Sequence, residues 1–372
     1  MTGSPRLTTS RLAALRPPPL LALGLALALA LAGLSAASAE TLTVLTHNSF
    51  AVSKDVIQAF TEQTGIDVTF VQAGDAGEVV NRAILTKDRP IADVLYGVDN
   101  SLLVRAKNAG IFEPYQSPRL ADVEPQYRFD PDHMVTPIDV GYVNLVADKA
   151  ALAKAGVPAP KTLSDLTEPA YKNMLVVENP ATSSPGLNFM LATVAHFGEG
   201  HPGDWLDFWA KLRDNGVEVT SGWQEAYNSS FSQYGGDRPI VVSYSTDPAA
   251  EVMFAKTTLT QSPVESVLCD ACAYRQIEAA GILKGTRHKQ AAEKFIDFML
   301  SKRFQEDIPG NMFVYPVIRG ASLPPAFQRY APVPSSQQVA DLSPEAIAKG
   351  ERHWIEQWTA VVQQGRAPST VR

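Results

Sequence analysis

Only two cysteines, Cys269 and Cys272, occur in 372 residues, so no disulfide framework holds this chain and its core must come from apolar packing. No block of Lys or Arg is present either: 32 basic residues face 39 acidic ones, a net charge of -7, which speaks against a nucleic-acid partner. No nucleophile elbow, zincin pair or Walker loop occurs, and the histidines are scattered at 47, 133, 196, 201, 288 and 353. No catalytic residue, metal or cofactor is expected on that basis. With 45% hydrophobic and 19% charged residues the chain should be globular, in about two domains by its length.

The first forty residues lack acids until Glu40. Arg6, Arg11 and Arg16 precede an apolar run from Leu20 to Leu34, and Ala37-Ser38-Ala39 supplies small residues at alternate positions. This pattern is expected of a secretory signal peptide, residues 1–39, cleaved after Ala39. The run of 15 residues is short of the roughly 20 that span a bilayer, and no cysteine follows it to carry a lipid. The expectation is a periplasmic mature chain in which 29 basic residues face 39 acidic ones.

In an oxidising compartment the C-x-x-C pair Cys269/Cys272 reads as a local disulfide or a buried pair. Two thiols do not complete a four-ligand zinc site. A redox pair of this spacing would be expected to open a helix after a strand, whereas both flanks here look extended.

Strand-like and helix-like segments alternate from residue 42: LTVLT, a helix through Val56 and Phe60 stopped by Gly65, IDVTFV, a helix through Val79 and Val80, DVLY, and a helix stopped by Gly110. That alternation predicts a parallel α/β sheet covered on both faces. It breaks over Pro114 to Pro137, resumes at Gly141–Ala147, and continues through strands at 174–177, 240–244 and 273–279 with helices at 186–197, around 205–212, from Trp223, from Pro248, at 291–300 and at 344–362. Two α/β lobes of similar size leave a cleft at the carboxyl ends of their strands, where such sheets bind ligands.

Several residues stand at those ends. His47 closes the first strand, as a ligand contact or an ordinary loop histidine. Asp75 is a helix cap or a partner for a cationic ligand. Thr182-Ser183-Ser184 precedes a helix and offers hydroxyls for an anion, or ordinary caps. Trp223, Tyr227, Tyr244, Phe313 and Tyr315 lie on Gly/Ser/Thr/Asp-rich turns, and with Asp75, Asp99, Glu225 and Asp247 they suit a flat cationic heteroaromatic molecule held by stacking and cation–π attraction, about 0.5–2 kcal/mol per ring.

Leu45-Thr46-His47-Asn48-Ser49-Phe50, Gly97-Val98-Asp99-Asn100-Ser101, Pro137-Ile138-Asp139-Val140-Gly141-Tyr142, Thr182-Ser183-Ser184-Pro185-Gly186, Ser221-Gly222-Trp223-Gln224-Glu225-Ala226-Tyr227, Ser243-Tyr244-Ser245-Thr246 and Tyr315-Pro316-Val317, in this order, resemble the thiamine-binding periplasmic proteins of ABC importers. The resemblance covers the chain from Leu42 to the Trp354/Trp358 helix. It implies a type II two-lobed binding-protein fold with no enzymatic activity, a monomer that carries thiamine or a thiamine phosphate to an ABC permease of the inner membrane. The implied lobes are 40–138, with parts of 280–372 returning to it, and 139–279. Trp223, Tyr244 and Phe313 would enclose the rings, Asp75 would meet the aminopyrimidine, Thr182 to Ser184 would lie near the hydroxyethyl or phosphate end, and Asp139 would mark a crossing strand at the hinge. Three positions depart from the family pattern: His47-Asn48 stands for Tyr-Asp, Phe313 for Trp, and Ala250 for a further aromatic. The competing readings are a polyamine binder, a ferric-iron binder, which commonly supplies adjacent tyrosines absent here, and a thiaminase-like enzyme using Cys269 or Cys272 with Glu278 or Glu225 as base.

Overall fold

The computed structural model describes residues 1–3, 40–340 and 342–372, so the expected signal segment lies outside the described residues apart from its first three. Among the described residues no helix is long and apolar enough to cross a membrane.

From Glu40 the chain builds β1 (Glu40–Thr46), α1 (Lys54–Thr64), β2 (Ile66–Gln72), α2 (Ala76–Leu85), β3 (Val94–Asp99), α3 (Leu103–Ala109) and the short β4 (Phe112–Glu113). After the proline-rich stretch come β5 (Thr136–Asp148), α4 (Lys149–Ala155), β6 (Leu175–Glu178), α5 (Ser184–Phe197), α6 (Trp205–Asp214), β7 (Glu218–Thr220), the one-turn α7 (Trp223–Glu225) and β8 (Ile240–Tyr244). Then follow α8 (Asp247–Met253), β9 (Val264–Val267), β10 (Tyr274–Leu283), α9 (Lys289–Met299), α10 (Lys302–Asn311), β11 (Tyr315–Pro316), α11 (Pro325–Tyr330) and α12 (Pro344–Trp358).

The strands run in the order β2-β1-β3-β10-β5-β8-β6-β7, with β4 on β10 and both β9 and β11 on β5. Pairing is parallel at each end, β1 with β2 and β3, and β6 with β7 and β8. It is antiparallel in the middle, where β10 pairs β3 and β5, and β5 pairs β8. The all-parallel sheet expected from the alternation is therefore corrected to a mixed one. The reason lies in β5 and β10, which run antiparallel to each other and to the neighbours β3 and β8, and so join the two parallel halves.

β5 is the main joint, and its entire 13-residue length is buried. Its first part lies between β10 and β11, and its second between β8 and β9. Proline inside a central strand removes a ladder donor and is tolerated at bulges. Pro137 sits at such a place: the register with β10 slips between Glu278 and Ala279, so that Ile138 falls between the pairs Asp139/Glu278 and Pro137/Ala279. The carbonyl of Ile138 instead accepts from Gln305 Nε2 at 2.8 Å.

Side chains alternate across the strands as a period of two requires. Leu42 and Val44 of β1, Tyr96 of β3, and Ile138, Val140 and Tyr142 of β5 join one apolar cluster with α1, α9 and α10. Leu45, Leu95, Val98, Val143 and Leu145 join the other, with α2, α3, α5, α6 and α12. The last helix is fixed there by Trp358, fully buried edge-on against Trp209 at 5.4 Å. Emptying such a site costs about 3–5 kcal/mol. Cys269 and Cys272 are joined in a disulfide, with Cα atoms 5.2 Å apart, on the turn between β9 and β10. That turn is tied to residues 337–340 by backbone bonds such as Ala271 N–H to Gln337 at 2.9 Å and Ala340 N–H to Ala273 at 2.7 Å.

Candidate functional site

A cleft of about 590 Å³, counting its open mouth, is lined from both halves of the sheet. His47 enters from the end of β1, Asp75 from the start of α2, Ser184 from the start of α5, Trp223 from α7, Tyr244 from the end of β8 and Phe313 from the turn between α10 and β11. The sequence places these six at element ends, and the fold brings them together.

Local chain geometry explains why each arrives. Gly97 has φ +105°, and a Cβ on it would lie 2.6 Å from His47 Cδ2, so glycine both adopts the bulge inside β3 and leaves room for the imidazole. A Cβ on Gly141 of β5 would lie 2.8 Å from the Tyr244 ring, so that ring rests on bare backbone of the joint strand. Asp75 forms a reciprocal cap with Glu78: its carboxylate accepts from Ala76 N–H at 2.6 Å while Glu78 accepts from Asp75 N–H at 3.1 Å. Its other oxygen accepts from Trp223 N–H at 2.9 Å. Asp75 is thus a cap and also a tie from α2 to α7. A second tie runs from Glu78 N–H to the Thr182 carbonyl at 3.2 Å.

The aromatic wall is built in layers. Trp223 stacks on Tyr227 with centroids 5.0 Å apart and rings 19° from parallel, meets Tyr244 edge-on at 6.4 Å, and donates its indole N–H to Ser243 Oγ at 2.8 Å. Tyr227 lies behind Trp223 rather than on the cleft, and gives its hydroxyl to Glu251 at 2.8 Å. Phe313 holds φ +58°, a left-handed conformation that a bulky side chain rarely takes.

Acids form the floor. Glu278 of β10 stands opposite Asp139 of β5, and the buried Tyr96 hydroxyl lies between them, within hydrogen-bond reach of Asp139 and 3.1 Å from Glu278. His47 Nε2 lies 3.3 Å from Glu278, off the line of a good hydrogen bond. Burial alone would lower the His47 pKa, but Glu278, with Asp75 and Asp139, outweighs it and raises it. Burial raises the pKa of Asp75 against the pull of the Trp223 and Ala76 N–H groups. Asp139 rises well above the carboxylate range through burial and the neighbouring Glu278 charge. Glu178, whose two buried oxygens have no hydrogen-bond partner, rises through burial and then Asp75 and Asp247. Asp247 is pushed up to about 8, chiefly by burial. Neither Lys nor Arg lines the cleft. Such a site is deficient in positive charge and suits a cation.

The remaining expected residues lie elsewhere. Asp99 is fully buried, accepting from Ser101 and Leu102 N–H and from Ser184, Asn188 and Gln276 side chains, so it joins α3 to α5 rather than facing the cleft. Thr182 turns its hydroxyl to the Ser221 carbonyl at 2.6 Å, and Ser183 caps α5. Tyr315 packs on Phe327 and bonds the Ala331 carbonyl at 2.8 Å, inside the core. Sequence reasoning passed over Ser49, Gln276 and Asn311, and considered Glu278 only as an enzymatic base. The signal for Gln276 and Glu278 was present: two polar residues at i and i+2 in the apolar run Tyr274–Leu283 share one face of a buried strand. Cys269 and Cys272 line no part of the cleft, so neither stands beside Glu278 as a nucleophile. Among the described residues no cluster of His, Cys, Asp and Glu has the makings of a metal site.

The profile of the bacterial extracellular solute-binding protein family matches residues 89–342. The thiamine-binding periplasmic protein of Salmonella typhimurium is 30% identical over 333 residues, 88% of this chain and 95% of that protein. An Fe(3+)-binding periplasmic protein of Serratia marcescens is 28% identical, over 85% of this chain and 89% of that one. Among solved structures, a periplasmic thiamin binding protein superposes with a TM-score of 0.76 at 28% identity, covering 87% of this chain and 96% of its own.

Proposed function

The chain belongs to the bacterial extracellular solute-binding proteins, and from that premise we propose that it is the thiamine-binding component of an ABC importer. It closes two lobes on the vitamin outside the inner membrane and hands it over unchanged to a permease. In this reading residues 1–39 direct export and are removed, the lobes are 40–138 with later returning segments and 139–279, and β5 and β10 carry the hinge.

The observation that carries the ligand is the combination of Trp223, Tyr244 and Phe313 around a cleft whose charged lining residues are Asp75, Asp247, Glu278 and His47. Thiamine joins two flat rings, one bearing a permanent positive charge. Its charge replaces the missing counter-ion of the acids, and its rings replace water against the aromatics. In this reading Asp75, which lines the cleft, meets the aminopyrimidine with the acceptor capacity its carboxylate keeps beside the Ala76 and Trp223 N–H groups. Nothing in this reading requires bond breaking, so the protein releases what it binds.

The test is a calorimetric and Trp-fluorescence titration of the exported protein, stripped of ligand by unfolding and refolding, with thiamine, spermidine and ferric citrate. Saturable one-to-one binding of thiamine alone is expected, with the ligand recovered intact. Binding of spermidine without thiamine would transfer the assignment to polyamines, and loss of the thiazole from bound thiamine would point to an enzyme.

A further inference from the structure

We infer that Phe254 is a positioning residue of this cleft: its ring holds that of Phe313 in place for the ligand, an inference that rests on the thiamine reading above. Phe313 needs such a support. Its turn is pinned on both sides, by the Met312 N–H on the Ile308 carbonyl at 2.8 Å and by Tyr315 of β11 paired with Val140, and its own backbone is held at φ +58°. Those ties decide where the Cα–Cβ bond points. They leave the ring to choose among the staggered positions about that bond.

Among the described residues, the ring that meets Phe313 is Phe254, edge-on with centroids 5.0 Å apart and planes 70° from parallel. This is a favoured geometry for an aromatic pair. Phe254 follows the last residue of α8, the helix whose first residue, Asp247, lines the cleft, but it does not line the cleft itself. Its backbone is fixed. The Phe254 N–H closes the helix on the Ala250 carbonyl at 3.0 Å, and the neighbouring Ala249 is fully buried in the apolar cluster that holds Phe327 of α11. A ring on a rigid stalk thus stands behind a ring on a left-handed turn.

The same construction serves Trp223, which faces the cleft with Tyr227 stacked behind it and Tyr227 tied by its hydroxyl to Glu251. Tyr227 is buried, whereas Phe254 is 58% exposed, so the Phe254 ring contributes little to the core. A lone exposed apolar ring is ordinary on a protein surface; contact with a cleft residue is what assigns this one a role. Restricting Phe313 before the ligand arrives removes the cost of ordering it on binding, and a wall ordered in advance binds more tightly with no added contact.

The experiment is a calorimetric titration of the ligand-stripped exported protein with thiamine, together with stopped-flow release rates, for the unaltered chain, Phe254→Ala, Phe254→Tyr, Phe313→Ala and the double variant. Phe313→Ala should weaken binding about thirtyfold and Phe254→Ala about fivefold, with faster release. The double variant should match Phe313→Ala within about twofold, because Phe254 acts only through the ring that is then missing. Phe254→Tyr keeps the ring and should bind as the unaltered chain does. The ligand-free melt should be the same for Phe254→Ala as for the unaltered chain. Unchanged affinity in Phe254→Ala overturns the inference and leaves the thiamine reading intact. A double variant clearly weaker than Phe313→Ala would put Phe254 on the ligand itself, and a lowered ligand-free melt in Phe254→Ala would make its role structural; either overturns the inference. Absence of thiamine binding by the unaltered chain overturns the thiamine reading, and the inference with it.

Discussion

The floor and the wall of the cleft are built in opposite ways. The floor is a buried polar group, Tyr96, Asp139 and Glu278 on β3, β5 and β10 joined by hydrogen bonds, with His47 just past β1 and 3.3 Å from Glu278. The wall, made by Trp223, Tyr244 and Phe313, stands half-exposed at element ends and makes few polar bonds. The floor sits where the two halves of the sheet are joined, so changing it also changes the joint. The wall is attached at its margin, so it can be altered with the fold intact. The charged lining is thus tied to the joint between the two halves of the sheet, and contact area is not.

The largest expected break in this contrast is Trp223→Ala. It removes the ring between Tyr227 and the cleft and should weaken thiamine binding by about 2–4 kcal/mol, roughly 30- to 900-fold in Kd. Unfolding should stay cooperative; isothermal calorimetry and a thermal melt read the two quantities separately. Asp75→Asn comes next. Asparagine caps a helix about as well as aspartate but keeps one acceptor oxygen where Asp75 uses two, so the ligand-free melt should drop only slightly, with the tie to Trp223 N–H, while affinity falls about tenfold through loss of charge. A lower melt with unchanged affinity would make Asp75 a cap alone.

The third expectation concerns pH. Asp247, raised to about 8, with Asp75, Asp139 and Glu178 also raised, holds protons in the folded state that the unfolded chain has already lost above about pH 4. Stability from these groups is therefore lost as pH climbs from about 4 toward 8. His47, also raised, acts in the same direction, since its contribution is complete below about pH 6.5 and lost as pH rises through its folded value. The ligand-free protein should melt lower at pH 8 than at pH 5, and thiamine should bind more tightly as pH rises because its charge favours the ionised acids. A pH-independent Kd would argue that the acids do not see the ligand. The smallest effect is expected of Tyr315→Phe, with affinity unchanged and about 1 kcal/mol of stability lost with the bond to Ala331.

Tyr315 and Phe313 also show where sequence reading stops. Both are aromatics on one Gly/Asn-rich turn, two residues apart, and on a regular strand they would share a face. The left-handed turn at Phe313 separates them, sending one to the cleft and the other to the core. The hydroxyls of Thr182 and Ser184 present the same difficulty, because the groups that claim them, Ser221 and Asp99, are far off in the chain. What could be read was local: the strands and helices of 42–110, where apolar period and stop glycines agree, and the ends where ligand residues gather. The mixed sheet could not be read that way, since Pro137 disguises the start of β5 and only its partner strand explains the bulge.

The backbone of Phe313 has an evolutionary corollary. A phenylalanine at φ +58° costs on the order of 1 kcal/mol or more, which glycine or asparagine would recover. Natural drift under selection for heat tolerance alone would erode this position early. Selection for ligand capture would hold it in place if Phe313 encloses the vitamin as proposed.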